Sequence, residues 1–374
     1  MLPLIAIRAV VFVLSGTVVV LTVLSAIRTF VLPRSAPDML TRLVFLITRY
    51  LFNIRLRWAH TYEARDGIMA FYAPVSLLAL PPAWLALICL GYTGMYWALG
   101  VEPLSTAFTL SGSSLFTLGF TTAGNLFTTI LVFSEASFGL MLIALLISYM
   151  PTIYAAFSRR EVAVNMLEVR AGSPPSAVEM IARFHRLHGL DRLGEMWRSW
   201  ENWFVELEET HTSLPVLAFF RSPVPNRSWI TAAGTVLDAA SLCASTVDVP
   251  RDIQTDLCIR AGHMALRYIA DFFGIAYDPD PKPTDPIRIS RLEFDAAYDL
   301  LKEQGVPLKP DRDQAWRDFA GWRVNYDAVL LALCALVMAP EAPWSSDRAP
   351  EFAPPSLFAV LNWGHRTKPP EGHP

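Results

Sequence analysis

The sequence predicts an all-helical membrane protein, and three observations support that fold class. The 374 residues are 53% hydrophobic and only 17% charged, and their mean hydropathy of +0.35 is too high for an ordinary soluble protein of this length. The apolar excess lies in three stretches without a charged residue, at 9–27, 67–101 and 136–158. Each stretch approaches or exceeds the about 20 residues that cross a bilayer as a helix. Three membrane helices are therefore expected.

The first apolar stretch has two interpretations. A cleaved signal peptide has an apolar region of about 7–15 residues followed by a small-x-small cleavage site. The stretch at 9–27 is longer, and no clear site of that kind follows it. We therefore expect a retained N-terminal membrane helix.

Basic residues predict how the chain is oriented. Arginines stay on the cytoplasmic side of membrane helices. Arg159 and Arg160 follow the third stretch, and seven arginines lie between the first and second: Arg28, Arg34, Arg42, Arg49, Arg55, Arg57 and Arg65. Both regions are expected in the cytoplasm, which makes the chain a multi-pass protein of an inner or plasma membrane with a cytoplasmic C-terminal domain.

Acidic residues predict an outer vestibule. Glu102 and Glu135 are the only charged residues from 67 to 158, and both flank the expected outer loop. A mouth with only negative charge would concentrate cations. The alternative is that apolar segments simply lack charge.

The segment between the first two membrane helices predicts an amphipathic helix over 38–54. Arg42 and Arg49 lie on one side, and six apolar residues repeat at helical spacing on the other: Leu40, Leu43, Val44, Ile47, Leu51 and Ile54. The helix either lies in the inner membrane interface or packs against the membrane helices with its arginines reaching outward.

A short helix and an irregular loop are expected between the second and third membrane helices. The segment 105–116 is long enough to enter about half of the membrane, and it leads into Thr117, Leu118, Gly119, Phe120 and Thr121. Irregular backbone survives at that depth only where it is buried in protein or lines water. Carbonyl oxygens of such a loop can replace the water shell of a cation. These five residues are therefore the candidate ion-binding filter.

This order of outer helix, pore helix, Thr-x-Gly-aromatic loop and inner helix resembles the pore module of the potassium-channel superfamily. The family filter reads Thr-Val-Gly-Tyr-Gly. The resemblance implies that Thr117 contributes a hydroxyl and a carbonyl, and that Leu118, Gly119 and Phe120 contribute carbonyls. Thr121 replaces the second glycine of the family, whose backbone conformation a β-branched residue adopts only with strain. Weakened potassium selectivity is the implied consequence.

One pore loop in a chain cannot enclose an axis, so closed symmetry with four copies is expected. Ala144, Ser148 and Thr152 lie at i, i+4 and i+8 of the third membrane helix and are the candidate pore-lining residues. The alternative is that these small residues let helices pack closely. Gly139 and Pro151 bracket this helix, either as bending points of a gate or as packing features.

After Arg160 the chain becomes soluble in character and mildly acidic. Helical periodicity bounded by proline-rich breaks predicts an all-helical domain with helices at 176–187, 190–209, 229–244, 253–273, 291–303 and 313–338. The second of these carries an apolar stripe that either packs onto its own domain or forms a seam between chains: Leu193, Met196, Trp197, Trp200, Phe204 and Leu207.

The expected organisation has four parts. They are an N-terminal membrane helix with the amphipathic helix at 1–66, a pore module at 67–160, a cytoplasmic helical domain at 161–346 and a poorly ordered proline-rich tail at 347–374.

The sequence predicts a channel rather than an enzyme. It contains no glycine-rich phosphate loop, no Gly-x-Ser-x-Gly turn, no His-Glu-x-x-His helix and no Cys-x-x-Cys pair. The leading interpretation is a homotetrameric cation channel that its cytoplasmic domain gates or assembles. Monovalent cations such as K⁺ or Na⁺ are the permeant ions, with no cofactor, no nucleic acid and no defined soluble ligand, and membrane lipid is the other partner. The alternative is a non-conducting, membrane-anchored sensor or interaction protein with a degenerate pore loop.

Overall fold

The computed structural model describes residues 2–30, 38–122 and 124–350. Within those ranges the chain forms thirteen α-helices and no strand, apart from one isolated β-bridge between Val247 and Leu308. The all-helical fold class is therefore confirmed. The tail predicted to be proline-rich and poorly ordered lies, from 351 onward, outside the described residues. The fold consists of two compact units, which are described in turn.

The first unit comprises Met1–Ser158 together with Ser213–Phe220. The short segment 213–220 therefore belongs here, although sequence analysis assigns it to the cytoplasmic domain. The helices of this unit are α1 (Leu2–Phe30), α2 (Met39–Leu56), α3 (Tyr62–Ala70), α4 (Tyr72–Ala98), α5 (Leu104–Leu115) and the first part of α6 (Leu126–Ala171).

Three helical segments of the described chain are long and apolar enough to cross a membrane, as the sequence predicts. They are Leu4–Phe30, Tyr62–Ala98 and Leu126–Ala171; a later pair of bent helices makes a fourth only if it is counted as one span. α4 continues as a helix through Pro81 and Pro82. The described part of the chain is therefore all-helical and contains three apolar helices that can span a bilayer.

A buried polar contact joins α1, α2 and α4. The indole Nε1 of Trp84 donates a hydrogen bond to the Ser25 hydroxyl at 3.0 Å, and the same hydroxyl donates to Asp38 at 2.5 Å. Asp38 also caps α2 by accepting from the Thr41 amide at 2.8 Å. Ser25 therefore satisfies a buried tryptophan and holds the N-terminus of α2 against α1.

The orientation of α2 differs from the expectation. Leu40 and Val44 pack against the core as an apolar face should, but Leu43 and Ile47 are exposed. Arg49 points inward, is buried and lies over the ring of Tyr72, 5.2 Å from its centroid. This cation–π contact holds the arginine inside, so apolar side chains cover the outward face of α2.

The second unit comprises Arg159–Thr212 and the described residues from Arg221 onward. Its helices are the end of α6, α7 (Ala177–Arg186), α8 (Leu193–Ser213), α9 (Trp229–Thr246), α10 (Ile253–Phe273), α11 (Arg291–Glu303), α12 (Arg312–Arg323) and α13 (Asp327–Val337). α9 is the central helix, because nearly all of its residues are buried. The apolar stripe of α8 is buried within this unit, which confirms that it packs onto its own domain.

The expectation of one helix over 313–338 is wrong, because α12 and α13 meet at an angle of 54°. The side-chain amide of Asn325 donates to the carbonyls of Gly321 and Trp322. In an uninterrupted helix those carbonyls would bond to amides four residues later. The Tyr326 amide instead donates to Arg323, which ends α12.

This break completes a buried ionic network. The side chain of Arg323 is fully buried and donates to Asp238 at 2.5 Å and to Asp327 at 2.8 Å. It also donates to the carbonyl of Trp344 at 2.7 Å. The Tyr326 hydroxyl donates to the same Asp238 at 2.9 Å. α9, α12, α13 and the following loop therefore share one charge cluster.

We expect Arg323→Ala to lower the free energy of unfolding of the second unit by about 3–5 kcal/mol, because two buried carboxylates would lose their cation. Urea unfolding of the full-length protein in detergent, followed by tryptophan fluorescence, measures this change. Arg251→Ala is the matched control, because Arg251 pairs with Asp256 at the exposed surface and should change stability little. Equal stability of the two variants would contradict the role given to Arg323.

Candidate functional site: the helix α5 and its following loop

The short helix that the sequence predicts at 105–116 is α5, Leu104–Leu115. It begins directly after Pro103, and its inward face is buried: Ala107, Leu110, Ser111, Ser113, Ser114 and Leu115. Three serines in the last two turns are unusual on the buried side of an apolar helix. Buried hydroxyls require hydrogen-bond partners, and those partners define the site.

α5 ends in a Schellman motif that carries threonine where glycine is usual. The Thr117 amide donates to the Ser114 carbonyl at 3.0 Å, and the Leu118 amide donates to the Ser113 carbonyl at 2.8 Å. Thr117 has the left-handed backbone that this motif requires, with φ of 56°. A β-branched residue adopts that conformation only at an energetic cost, and such costs concentrate at functional positions.

The amides and carbonyls of the loop differ in their pairing. Besides Thr117 and Leu118, the Gly119 amide donates to the Ser113 carbonyl at 3.4 Å, and the Thr121 amide donates to the Ser113 hydroxyl at 3.3 Å. Among the described residues, none donates a hydrogen bond to the backbone carbonyls of 117–120. The loop therefore ties four of its amides to α5, whereas no residue in the described part of the chain pairs with its four consecutive carbonyl oxygens.

Two large apolar side chains of the loop are exposed in the single chain. Leu118 and Phe120 are 62% and 65% exposed. Gly119 has a left-handed φ of 69°, whereas Thr121 is not among the residues with positive φ. The chain thus avoids the strain expected at Thr121 by placing the left-handed residues at Thr117 and Gly119.

α6 packs closely on the end of α5 at Gly139. A Cβ atom at this position would lie 2.2 Å from the Leu115 carbonyl oxygen, so only glycine permits the approach. α6 is helical throughout, including at Pro151. Gly139 therefore has a defined packing role, and a bending role for Gly139 or Pro151 stays a prediction.

The candidate pore-lining residues share one exposed face of α6. Ala144, Ser148 and Thr152 are all exposed. The Ser148 hydroxyl donates to the Leu145 carbonyl at 2.9 Å, and the Thr152 hydroxyl donates to the Ser148 carbonyl at 3.3 Å. The hydroxyl protons are satisfied by the helix itself, and the hydroxyl oxygens remain available as acceptors.

Glu135 is not at a water-exposed mouth as expected, because it is fully buried in α6. Its carboxyl accepts from the Ser111 hydroxyl at 2.5 Å and from the Tyr96 hydroxyl at 2.9 Å. Glu135 lies one helical turn before Gly139, so both residues lie on the face of α6 that packs against α5. Its position in the sequence, just before the third apolar stretch, suggested a loop residue. α6 already begins at Leu126, however, so Glu135 lies within this helix and is buried.

Glu102 is exposed just before α5, as expected, but it is paired with Arg8 of α1. Arg8 also lies over the ring of Trp97, 5.8 Å from its centroid. Sequence reasoning missed this partner because Arg8 is 94 residues away. Arg8 is the lone arginine before the first apolar stretch, and this position was the sequence signal that a positive charge lies at the same end of the helices as Glu102. The end of the molecule expected to be purely acidic therefore carries a positive charge as well.

Comparisons with known proteins do not assign the chain to a family. No family model matches the sequence, and no curated protein and no solved structure matches it significantly. Within the described residues, no group of three or more His, Cys, Asp or Glu side chains could hold a metal ion.

We expect Gly139→Ala to lower the free energy of unfolding by about 1–3 kcal/mol, because the added methyl group overpacks the contact with Leu115. Thermal unfolding of the detergent-solubilised protein measures this. Gly112→Ala on α5 is the matched control: a Cβ there meets nothing within 4 Å, and alanine favours the helix. If both variants are as stable as the unmodified protein, the close contact does not exist.

Proposed function

We propose that this chain is a cation channel in which four copies surround a pore lined by the loop 117–120. The observation that carries the proposal is the run of four consecutive carbonyl oxygens after α5 that have no hydrogen-bond donor among the described residues. At membrane depth such backbone is tolerated only where it is buried in protein or lines water. A ring of carbonyl oxygens from several chains replaces the water shell of a cation.

Three further features support this assignment. Ser113 accepts the amides of Leu118, Gly119 and Thr121, so hydrogen bonds within one chain already hold the loop before any assembly. Leu118 and Phe120 are large, apolar and exposed, as expected of side chains that another copy covers. α6 offers a small, partly polar face at Ala144, Ser148 and Thr152.

The proposed filter contains fewer carbonyl rings than that of a selective potassium channel. Thr121 lacks the left-handed backbone of Gly119, so the fifth position does not repeat the geometry of the third. We infer conduction of monovalent cations such as K⁺ and Na⁺ with weakened discrimination between them.

The proposed orientation follows the arginines. Arg55 in the last turn of α2, Arg57 just after that helix and Arg65 in α3 are exposed, and Arg159 follows the third apolar stretch. By the positive-inside rule, this distribution supports a cytoplasmic location for these regions and for the second unit. There the helical unit acts in assembly or gating.

A non-conducting membrane anchor is the second candidate. The observation in its favour is the strained Thr117 in a Schellman position that glycine would fill more easily. A loop that no longer conducts has no need of four consecutive carbonyls without a partner among the described residues, however. Recording from the purified protein in planar bilayers with K⁺ and Na⁺ gradients separates the two candidates.

We expect Gly119→Ala to reduce the cation current about tenfold or more while the oligomer stays assembled. A left-handed alanine costs about 1–2 kcal/mol in each chain, which corresponds to a factor of about 5–30 in the population of the conducting loop. Single-channel recording and size-exclusion chromatography with light scattering measure the two properties. Gly112→Ala should conduct normally, and an unchanged current in Gly119→Ala would overturn the proposed filter.

We expect the ion pair of Arg8 and Glu102 to control the inward current at low salt. Glu102→Gln leaves the arginine unpaired and should lower the inward conductance, whereas Arg8→Gln leaves the carboxylate unpaired and should raise it. Both effects should fade between 0.01 M and 1 M salt, because the screening length falls from about 30 Å to about 3 Å.

The opposite signs are the diagnostic feature of that experiment. A change in the same direction in both variants, with equal size at low and high salt, would mean that the pair only holds α1 against the loop before α5.

A further inference from the structure

Glu135 occupies a position that channel conduction does not by itself explain. It is a carboxyl group, fully buried in α6, and two hydroxyl groups contact it. Within the described residues, no cationic side chain pairs with it. Burial of a carboxyl group costs free energy unless its hydrogen bonds return that cost.

The contacts of Glu135 join three helices at one point. The Ser111 hydroxyl of α5 lies 2.5 Å from Glu135 Oε1 and 3.0 Å from the Cys89 carbonyl of α4. The Tyr96 hydroxyl of α4 donates to Glu135 Oε2 at 2.9 Å. α4 and α6 thus hold α5 at the same serine.

Ser113, two positions after Ser111 on α5, holds the loop. Ser113 accepts the amides of Leu118 and Gly119 through its carbonyl and the amide of Thr121 through its hydroxyl. Ser111 and Ser113 belong to the same helical turn, so movement of one displaces the other. The end of α5 is thus fixed to α6 on one side and carries the loop on the other.

We propose that Glu135 is a positioning residue for the filter: through Ser111 it fixes the last turn of α5 and so the register of the loop 117–121. Glu135 does not touch the permeant ion in this role. This inference rests on the proposed function for its consequence in conduction, but its structural part is testable in a protein that carries no current.

Replacing Glu135 by glutamine keeps its hydrogen bonds to Tyr96 and Ser111 but removes its ability to carry a negative charge. In Glu135→Gln the amide oxygen accepts from Tyr96, and the NH₂ group donates to the Ser111 oxygen. The Ser111 proton then serves the Cys89 carbonyl, so every group in the cluster keeps a partner. Glu135→Ala removes both carboxylate oxygens, so the Tyr96 hydroxyl loses this acceptor and the Ser111 hydroxyl is left with the Cys89 carbonyl of α4 and no connection to α6.

The first measurement is hydrogen exchange of the peptide that covers 116–121, in the full-length protein. Glu135→Ala and Ser111→Ala should each accelerate exchange about tenfold or more at the amides of Leu118 and Gly119, while Glu135→Gln should match the unmodified protein. The double variant should add little to either single change, because both remove one connection. Thr22→Val is the matched control: its hydroxyl is buried in α1, donates to the Val18 carbonyl of its own helix and does not contact Glu135, Ser111 or Tyr96.

The second measurement is single-channel recording of the same variants. Glu135→Ala should shorten openings and lower the preference for K⁺ over Na⁺, and Glu135→Gln should restore both. Unchanged exchange in Glu135→Ala, or exchange as fast in Glu135→Gln as in Glu135→Ala, would overturn the positioning role. Absence of current from the unmodified protein would overturn the proposed channel function alone, because the exchange experiment still decides the role of Glu135.

Discussion

The pairing of backbone polar groups is the constraint on which the first unit depends. A helix satisfies its own amides and carbonyls, whereas a loop at membrane depth does not. In the loop after α5, Ser113 takes three amides through its carbonyl and hydroxyl. The carbonyls of 117–120 have no partner among the described residues. A single chain thus leaves a polar edge that water, ions or further copies must satisfy.

The order of these loop carbonyls depends on α5, because Ser113 of that helix holds the loop. α5 has twelve residues and would be marginal as an isolated helix. Its stability comes from packing against α4 and α6, where Gly139 allows contact with Leu115 and Glu135 holds Ser111. The close contact and the buried carboxyl lie one turn apart on α6, so one short stretch of that helix positions the end of α5.

The second unit also has to pair a buried polar group, and it does so with side chains rather than with backbone groups. Its central helix α9 is almost entirely buried, and the one charged residue of that helix, Asp238, accepts hydrogen bonds from Arg323 and Tyr326. A buried charge of this kind is costly unless fully paired. Full pairing requires α12 and α13 to bend at Asn325, so the break in the helix and the ionic network are one feature.

The sequence by itself determined the all-helical class, the three apolar helices and the short helix before the loop, because hydrophobic length and 3.6-residue periodicity are local properties. It also predicted the bounds of α10 and α11. Tertiary structure alone decided the pairing of Arg8 with Glu102, the inward direction of Arg49 and the burial of Glu135. Each of these depends on contacts between residues far apart in the chain. A charged residue near a loop has the same local pattern whether it faces water or a buried hydroxyl, and only the packing of the helices distinguishes the two.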